Sequence, residues 1–301
     1  MSSSHPSHSS LAHSSLAQSS LARPAGPAAA LRELSPVGAA HDVVRRYSRA
    51  RRNLLPREEL VTVVSATWAL EQVLRSGAVV EAALWCPDGR TSAHRRDEVT
   101  WAAVAERASR AHLVSTRTLT RIHPGLAPPA MVALVRLPDW RPADVLTEHA
   151  RLVLVADGIE YAGNLGTLVR TADACAADAV LLTSAVARLS HPKTFVASRG
   201  TVLTVPVLDY PSVARAGADL AAAGFTAYVA DPAATTSYRD AGLGSGRTAV
   251  VVGSEGDGVA AQWRTGLARV AIPMRGRADS LNVATSAAVL LFEARAALDR
   301  G

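Results

Sequence analysis

The chain has 301 residues, 49% of them apolar, and a formal net charge of +6. That length allows two domains of roughly 100–200 residues each, with enough apolar side chains to bury real cores. No apolar run reaches the roughly 18 residues that a membrane span needs, so no membrane partner is expected and a cytoplasmic location is.

Cys86 and Cys175 show no metal-ligand spacing, so neither a metal site nor a disulfide scaffold is implied. The positive charge is nearly all arginine, with Lys193 the single lysine. A planar guanidinium fork suits phosphates and fits a polyanionic partner. An arginine- and alanine-rich coding bias accounts for the same composition.

Residues 1–38 hold a Ser/His/Ala/Pro tract with the near-repeat "SSLAHSSLAQSSLARP". It lacks the continuous apolar core of a secretory signal. It reads as a disordered tail, because such tracts bury too little to offset their ordering entropy. Next, "HDVVRRYSRARR" gathers Arg45, Arg46, Arg49, Arg51 and Arg52 around Tyr47. This cluster is a candidate RNA-binding patch; the alternative is a solvated helix face.

The stretch that follows predicts a strand at 61–64, a helix over 66–75 broken by Gly77, and a strand at 79–85. A helix over 98–109, a short strand in "AHLVS" and another in "HPGLAPPAMVALVRLPDW" complete a small α/β unit, residues 39–140. "RPADVLTEHA", 141–150, reads as a linker.

From 151 to 301 the pattern restarts. "RLVLVAD" is apolar throughout its core, as a strand buried on both faces requires. "GNLGTLVRTADACAA" is a helix opened by a glycine-rich turn. "DAVLLT", "TVLTVPVL", "FTAYVAD", "TAVVVGS" and "LARVAIPM" read as further strands, with a helix over 212–223 among them. This alternation predicts an α/β domain with a mostly parallel sheet.

Ligands of such sheets bind beyond the carboxyl ends of the strands. Three of those ends carry Gly with polar residues: "GIEYAGNLGTLVR" with Asn164 and Arg170, "GSEGDG" with Gly253 and Glu255, and "RGRADSLN" with Ser280 and Asn282. Ser280 and Asn282 stand at the mouth of the apolar helix "VATSAAVLLFE". An N-cap explains them locally, and that role is compatible with a place in a site. "GLGSG", 242–246, precedes a strand instead of following one and reads as a flexible turn. No Walker loop, nucleophile elbow or zinc-type spacing occurs. The histidines cluster in the tail (His5, His8, His13) or stand alone.

In order and separation, "DGIEYAGNLGTLVRTADACAADAVLLT", "VVVGSEGDGV" and "AIPMRGRADSLNVATSAAVLLFE" resemble the three signature motifs of the SpoU-type RNA 2′-O-ribose methyltransferases of the SPOUT class. "ASRGTVLTVPV" is similar to that family's middle segment, and the resemblance spans 151–299. Residues 40–140 more loosely resemble the small ribosomal-protein-like RNA-binding domain that precedes the core in many members.

The resemblance implies a deep trefoil knot at the C-terminus, S-adenosylmethionine as cofactor without a metal, and a homodimer. It implies a cofactor pocket of Ala230, Gly253, Ile272, Met274 and Leu281, with Gly253 giving close approach to the ligand. It also implies a catalytic shell of Arg170, Asn164, Glu255, Ser280 and Asn282, with Arg199 of "ASRG" on an RNA phosphate. The nearest subgroup is the actinobacterial ribosomal-RNA methyltransferases of thiostrepton-type resistance, so antibiotic resistance is a possible consequence. Transfer-RNA ribose methylation and a non-catalytic RNA-binding ribosome-assembly role on the same fold are the alternatives.

Overall fold

A computed structural model describes residues 31–88, 95–125, 129–254 and 256–300. Two sheets organise the chain. The first contains β1 (Val61–Val64), β2 (Val80–Trp85), β3 (Ala111–Leu113) and β4 (Met131–Arg136), in the order β1-β4-β2-β3. β4 runs antiparallel to both neighbours, and β2 pairs parallel with β3. Around it lie α1 (Asp42–Arg51), α2 (Thr67–Ser76), α3 (Arg95–Arg107) and α4 (Thr116–Ile122). α2 stops at Gly77, whose φ of 71° is the left-handed C-cap conformation that glycine takes without a side-chain penalty.

The expected tail is described from residue 31 onward, and there it belongs to the fold. Leu31 is 1% exposed within the main core. Pro36 bridges Leu113, and the Val37 N–H donates to the Leu113 carbonyl at 2.8 Å. The boundary placed at residue 38 therefore falls inside packed chain: the open edge of β3 offers backbone groups that Ser35 and Val37 satisfy. The linker is also more structured than expected. It contains a one-turn helix, α5 (Pro142–Val145), with proline in its first turn and Val145 buried.

The second sheet has six strands: β5 (Leu152–Asp157), β6 (Ala179–Thr183), β7 (Val207–Asp209), β8 (Thr226–Ala230), β9 (Thr248–Val252) and β10 (Ala268–Val270). Every pair is parallel, in the order β10-β8-β9-β5-β6-β7. β5, β6 and β9 are buried at every position, which is why they read as unbroken apolar runs. "TVLTVPVL" departs from expectation. Thr201–Leu203 is a 3₁₀ turn that follows Gly200 at φ 89°, and only Val207–Asp209 joins the sheet. A short apolar run does not by its periodicity separate strand from buried turn.

The covering helices are α6 (Ala162–Ala174), α7 (Pro192–Ala197), α8 (Val213–Ala222), α9 (Ala261–Arg264) and α10 (Val283–Leu298). α10 packs against α6, β5 and β9. Arg295 on α10 donates to the carbonyls of Cys175 and Ala176 at 2.9 and 2.6 Å, satisfying free acceptors at the end of α6. "GLGSG" is a packed element. A Cβ on Gly244 would lie 2.3 Å from the Ala294 carbonyl oxygen of α10. One apolar cluster runs from Leu70, Trp85 and Trp101 of the first unit to Leu154, Phe195 and Leu290 of the second, so the two sheets share a core.

The chain passes from β5 out to β7, then returns to the far side of β5 as β9 and β8. Strand order thus reverses between β5 and β9, and the crevice beyond their carboxyl ends is where an open α/β sheet holds its ligand.

Candidate active site

A cavity of about 380 Å³ opens beyond β8, β9 and β10. Its apolar wall is Ala230, Val252, Ile272, Met274 and Leu281, and its polar wall includes Ser254, Ser280 and Ser286. Volume and mixture suit a small organic ligand held by apolar contact and a few placed polar groups. All five positions expected to hold a cofactor line this one cavity, with Ser280 beside them.

The reason for glycine at 253 differs from the expectation. A Cβ there would fall 2.1 Å from the Gly258 carbonyl carbon and 2.3 Å from the Val259 nitrogen. The residue makes room for its own loop while lining the cavity. Ser254 and Gly258 close that loop with reciprocal backbone hydrogen bonds of 3.1 and 3.0 Å, and the Ser254 hydroxyl accepts from the Asp257 N–H. Glu255, expected in the catalytic shell, lies outside the described residues.

Asn282 joins two of the motifs. Its Oδ1 accepts from the Ala284 N–H at 2.9 Å as the N-cap of α10, and its Nδ2 donates to Asn164 Oδ1 at 3.2 Å. One side chain therefore caps α10 and ties it to α6. Asn164 stands in the first turn of α6, whose buried face is Leu165, Gly166, Leu168, Val169 and Ala172. Gly166 lets α7 approach: a Cβ there would sit 2.4 Å from the Thr194 carbonyl oxygen. Arg170 is on the opposite, exposed face of α6 and is not part of the cavity wall.

Arg199 follows α7 in a left-handed backbone conformation, φ 57°, and is exposed. Its guanidinium stacks over Trp68 of α2, 4.0 Å from the ring centroid. The arginine expected on a phosphate therefore sits at the seam between the two units.

Arg45 and Arg49 of α1 and Arg52 at its C-cap are exposed, while Val43, Val44, Tyr47 and Ala50 are buried. Arg46 departs from the expected patch. It turns inward to ion-pair with Glu81 and with Glu59, the latter at 2.7 Å. Its position beside the buried face of the helix brings it over the first sheet, where those two acids are within reach. Arg51 is partly buried, near the contact of Tyr47 with His123 Nδ1 at 2.5 Å.

Several cavity residues escaped the sequence reading. Asp231 and Arg269 form an ion pair of 2.6 Å at its edge, and Arg264 donates to the Asp257 carbonyl at 3.1 Å. Asp231 directly follows β8 and the strand-end rule could have found it; Arg264 and Arg269 carry no local signal.

The description "SpoU rRNA Methylase family" belongs to the family model that matches residues 151–292. The chain is 31% identical over 221 residues to the 23S rRNA (guanosine(2553)-2′-O)-methyltransferase RlmP of Bacillus subtilis (strain 168), covering 72% of this chain and 85% of that protein. It is similar to the crystal structure of an RNA 2′-O ribose methyltransferase, at 28% identity and a TM-score of 0.66, over 86% of this chain and 97% of that one. An AdoMet-bound rRNA methyltransferase from Sinorhizobium meliloti shares the fold, with a TM-score of 0.76 at 22% identity over 88% and 98% of the two chains.

Proposed function

Because the chain belongs to the SpoU rRNA methylase family, we propose that it transfers a methyl group from S-adenosylmethionine to a ribose 2′-hydroxyl of RNA, with ribosomal RNA as the substrate. The observation that carries this reading is the convergence of Ala230, Gly253, Ile272, Met274, Ser280 and Leu281 on one cavity from three strand ends. The cavity residues fit the donor: an apolar wall for the adenine, with serines and an Asp–Arg pair for its polar parts. When bound, the donor supplies an electrophilic methyl on a sulfonium.

The chain has to align a sugar hydroxyl and stabilise the charge that grows on its oxygen. Arg170 is the group proposed for that charge, because a guanidinium is a permanent, multidentate donor. Asn164, held by Asn282, positions the sugar, and Ser280 lies at the cavity edge. Arg45, Arg49 and Arg52 provide exposed charge for the RNA backbone, and Arg199 provides it at the seam.

We read the active form as a homodimer. Arg170 lies outside the cavity of its own chain, and Tyr161, the N-cap of α6, and Phe292 within α10 are 65% and 49% exposed. The same reading takes the C-terminus as knotted, which fits α10 seated beneath Gly244 and against α6.

The test is ribose-methylation mapping across ribosomal RNA treated with the purified protein and S-adenosylmethionine. One new 2′-O-methyl site is the expected result. Unchanged ribosomal RNA, with methyl transfer to transfer RNA instead, would overturn the assignment.

A further inference from the structure

Asp157 is the last residue of β5 and is 2% exposed. A carboxylate buried at the end of a fully apolar strand costs several kcal/mol unless its oxygens are hydrogen-bonded. Here both are. Oδ1 accepts the Thr183 hydroxyl at 2.8 Å, from the last position of β6. Oδ2 accepts the Ala260 N–H at 2.6 Å, from the segment between β9 and α9. Trp263 Nε1 reaches the same Thr183 oxygen at 3.4 Å, and Thr183 and Trp263 are both buried.

That segment is the cavity loop. Ser254, Gly256, Asp257, Gly258 and Arg264 line the cavity, and Ala260 follows Gly258 by two residues. Within the loop, Ser254 bonds with Gly258, Asp257 with Ser254, and Arg264 with Asp257. Its backbone is tied to the sheet through the Ala260 N–H and Asp157, beside the longer Trp263–Thr183 contact. An apolar residue would finish β5 equally well; only an acceptor at this height holds the Ala260 amide.

We propose that Asp157 is a positioning residue for the cofactor cavity, acting through the Ala260 N–H to hold Gly256, Asp257 and Gly258 of the cavity wall in their ligand-ready positions. This rests on the methyltransferase reading above, and the experiment separates the two. S-adenosylmethionine binding to the full chain is titrated by calorimetry for the parent, Asp157→Ala, Asp157→Asn and Ala260→Pro. Asp157→Ala is expected to weaken binding about tenfold or more, since it leaves a partly buried donor without its acceptor. Asp157→Asn is expected to stay within about threefold, because its amide oxygen still accepts from Ala260 and its NH₂ can donate to Thr183.

Ala260→Pro deletes the N–H alone, at φ −56°, an angle proline adopts readily. It is expected to match Asp157→Ala, and the double variant to add little beyond either single change. In turnover, KM for S-adenosylmethionine should rise while KM for RNA stays unchanged. Should Asp157→Ala fail to fold, Ala260→Pro carries the test alone. Parent-like affinity in Ala260→Pro would overturn the proposal. A parent that binds no S-adenosylmethionine would instead overturn the functional reading.

Discussion

The Arg199 guanidinium lies 4.0 Å from the centroid of the Trp68 ring, so a cation of one unit rests on an aromatic face of the other. Trp68 in turn packs beside Phe195 of α7, ring centroids 6.4 Å apart. The stack gives the exposed arginine a defined direction, whereas a free side chain would have to be ordered on binding a ligand. An exposed cation–π contact contributes about 0.5–1 kcal/mol. Trp68→Ala should therefore raise the Kd for RNA about two- to fivefold and leave S-adenosylmethionine affinity unchanged. Filter binding and calorimetry measure the two. Equal weakening of both would mean that Trp68 supports the fold at large and not the arginine.

Asn282 combines a helix cap with a contact to Asn164, and substitution can separate the two. Asn282→Asp keeps the acceptor for the Ala284 N–H and loses the donor to Asn164 Oδ1. Its melting temperature should match the parent's, while methyl transfer falls. Asn282→Ala should lose activity and also about 1 kcal/mol of stability through the missing cap. Full turnover in Asn282→Asp would confine this residue to capping.

Much of the second sheet could be read from the chain because burial on both faces erases alternation. β5, β6 and β9 are apolar for that physical reason, and the polar residues after them stand out as rim. The five cofactor positions came from the family resemblance, and the cavity brings them together. What stayed hidden depends on partners distant in sequence. Gly244 looked like a flexible hinge because its constraint is the Ala294 carbonyl, 50 positions away. Arg46 looked like part of a patch because Glu81 is opposite it only in the fold. Asp157 closes the apolar run "RLVLVAD" with no signal of its own; its partner, the Ala260 N–H, is brought near only by the fold.

Arg170 presents a charge on the outer face of α6, away from the donor cavity of its own chain. The charge-stabilising role proposed for it would act on turnover and not on donor binding. Arg170→Ala should lower methyl transfer by at least about 100-fold, the loss typical of removing one preorganised donor, with S-adenosylmethionine affinity intact. Arg170→Lys should recover little of it, since a point charge does not replace a planar fork. Near-normal rates in either variant would remove Arg170 from the reaction. Mixing Arg170→Ala chains with a cavity-blocked variant tests the dimer: recovered activity means that one subunit's arginine serves the other's cavity.

His123 links pH to the stability of α1's packing. Burial first, then the Arg51 charge, hold its imidazole down at about 4, against an ordinary value of 6.5. Tyr47 of α1 meets its Nδ1 at 2.5 Å, and the phenol, buried at 1% exposure, is itself pushed upward. The neutral ring accepts the Tyr47 hydroxyl; a protonated ring could not. Between about 4 and 6.5 the unfolded chain binds more protons than the folded one, so stability rises with pH across that window. The contribution of neutral His123 is complete above about 6.5 and is drawn down as pH falls toward about 4. Melting temperatures recorded from pH 7.5 to 4.5 should therefore drop more steeply for the parent than for His123→Gln, which lacks the titrating ring. Tyr47→Phe should lower stability most above about pH 6.5 and give a shallower slope, because the lost hydrogen bond is one that only the neutral ring makes. Superimposable slopes for the parent and His123→Gln would show that carboxylates alone set the acid sensitivity and that this histidine has no part in it.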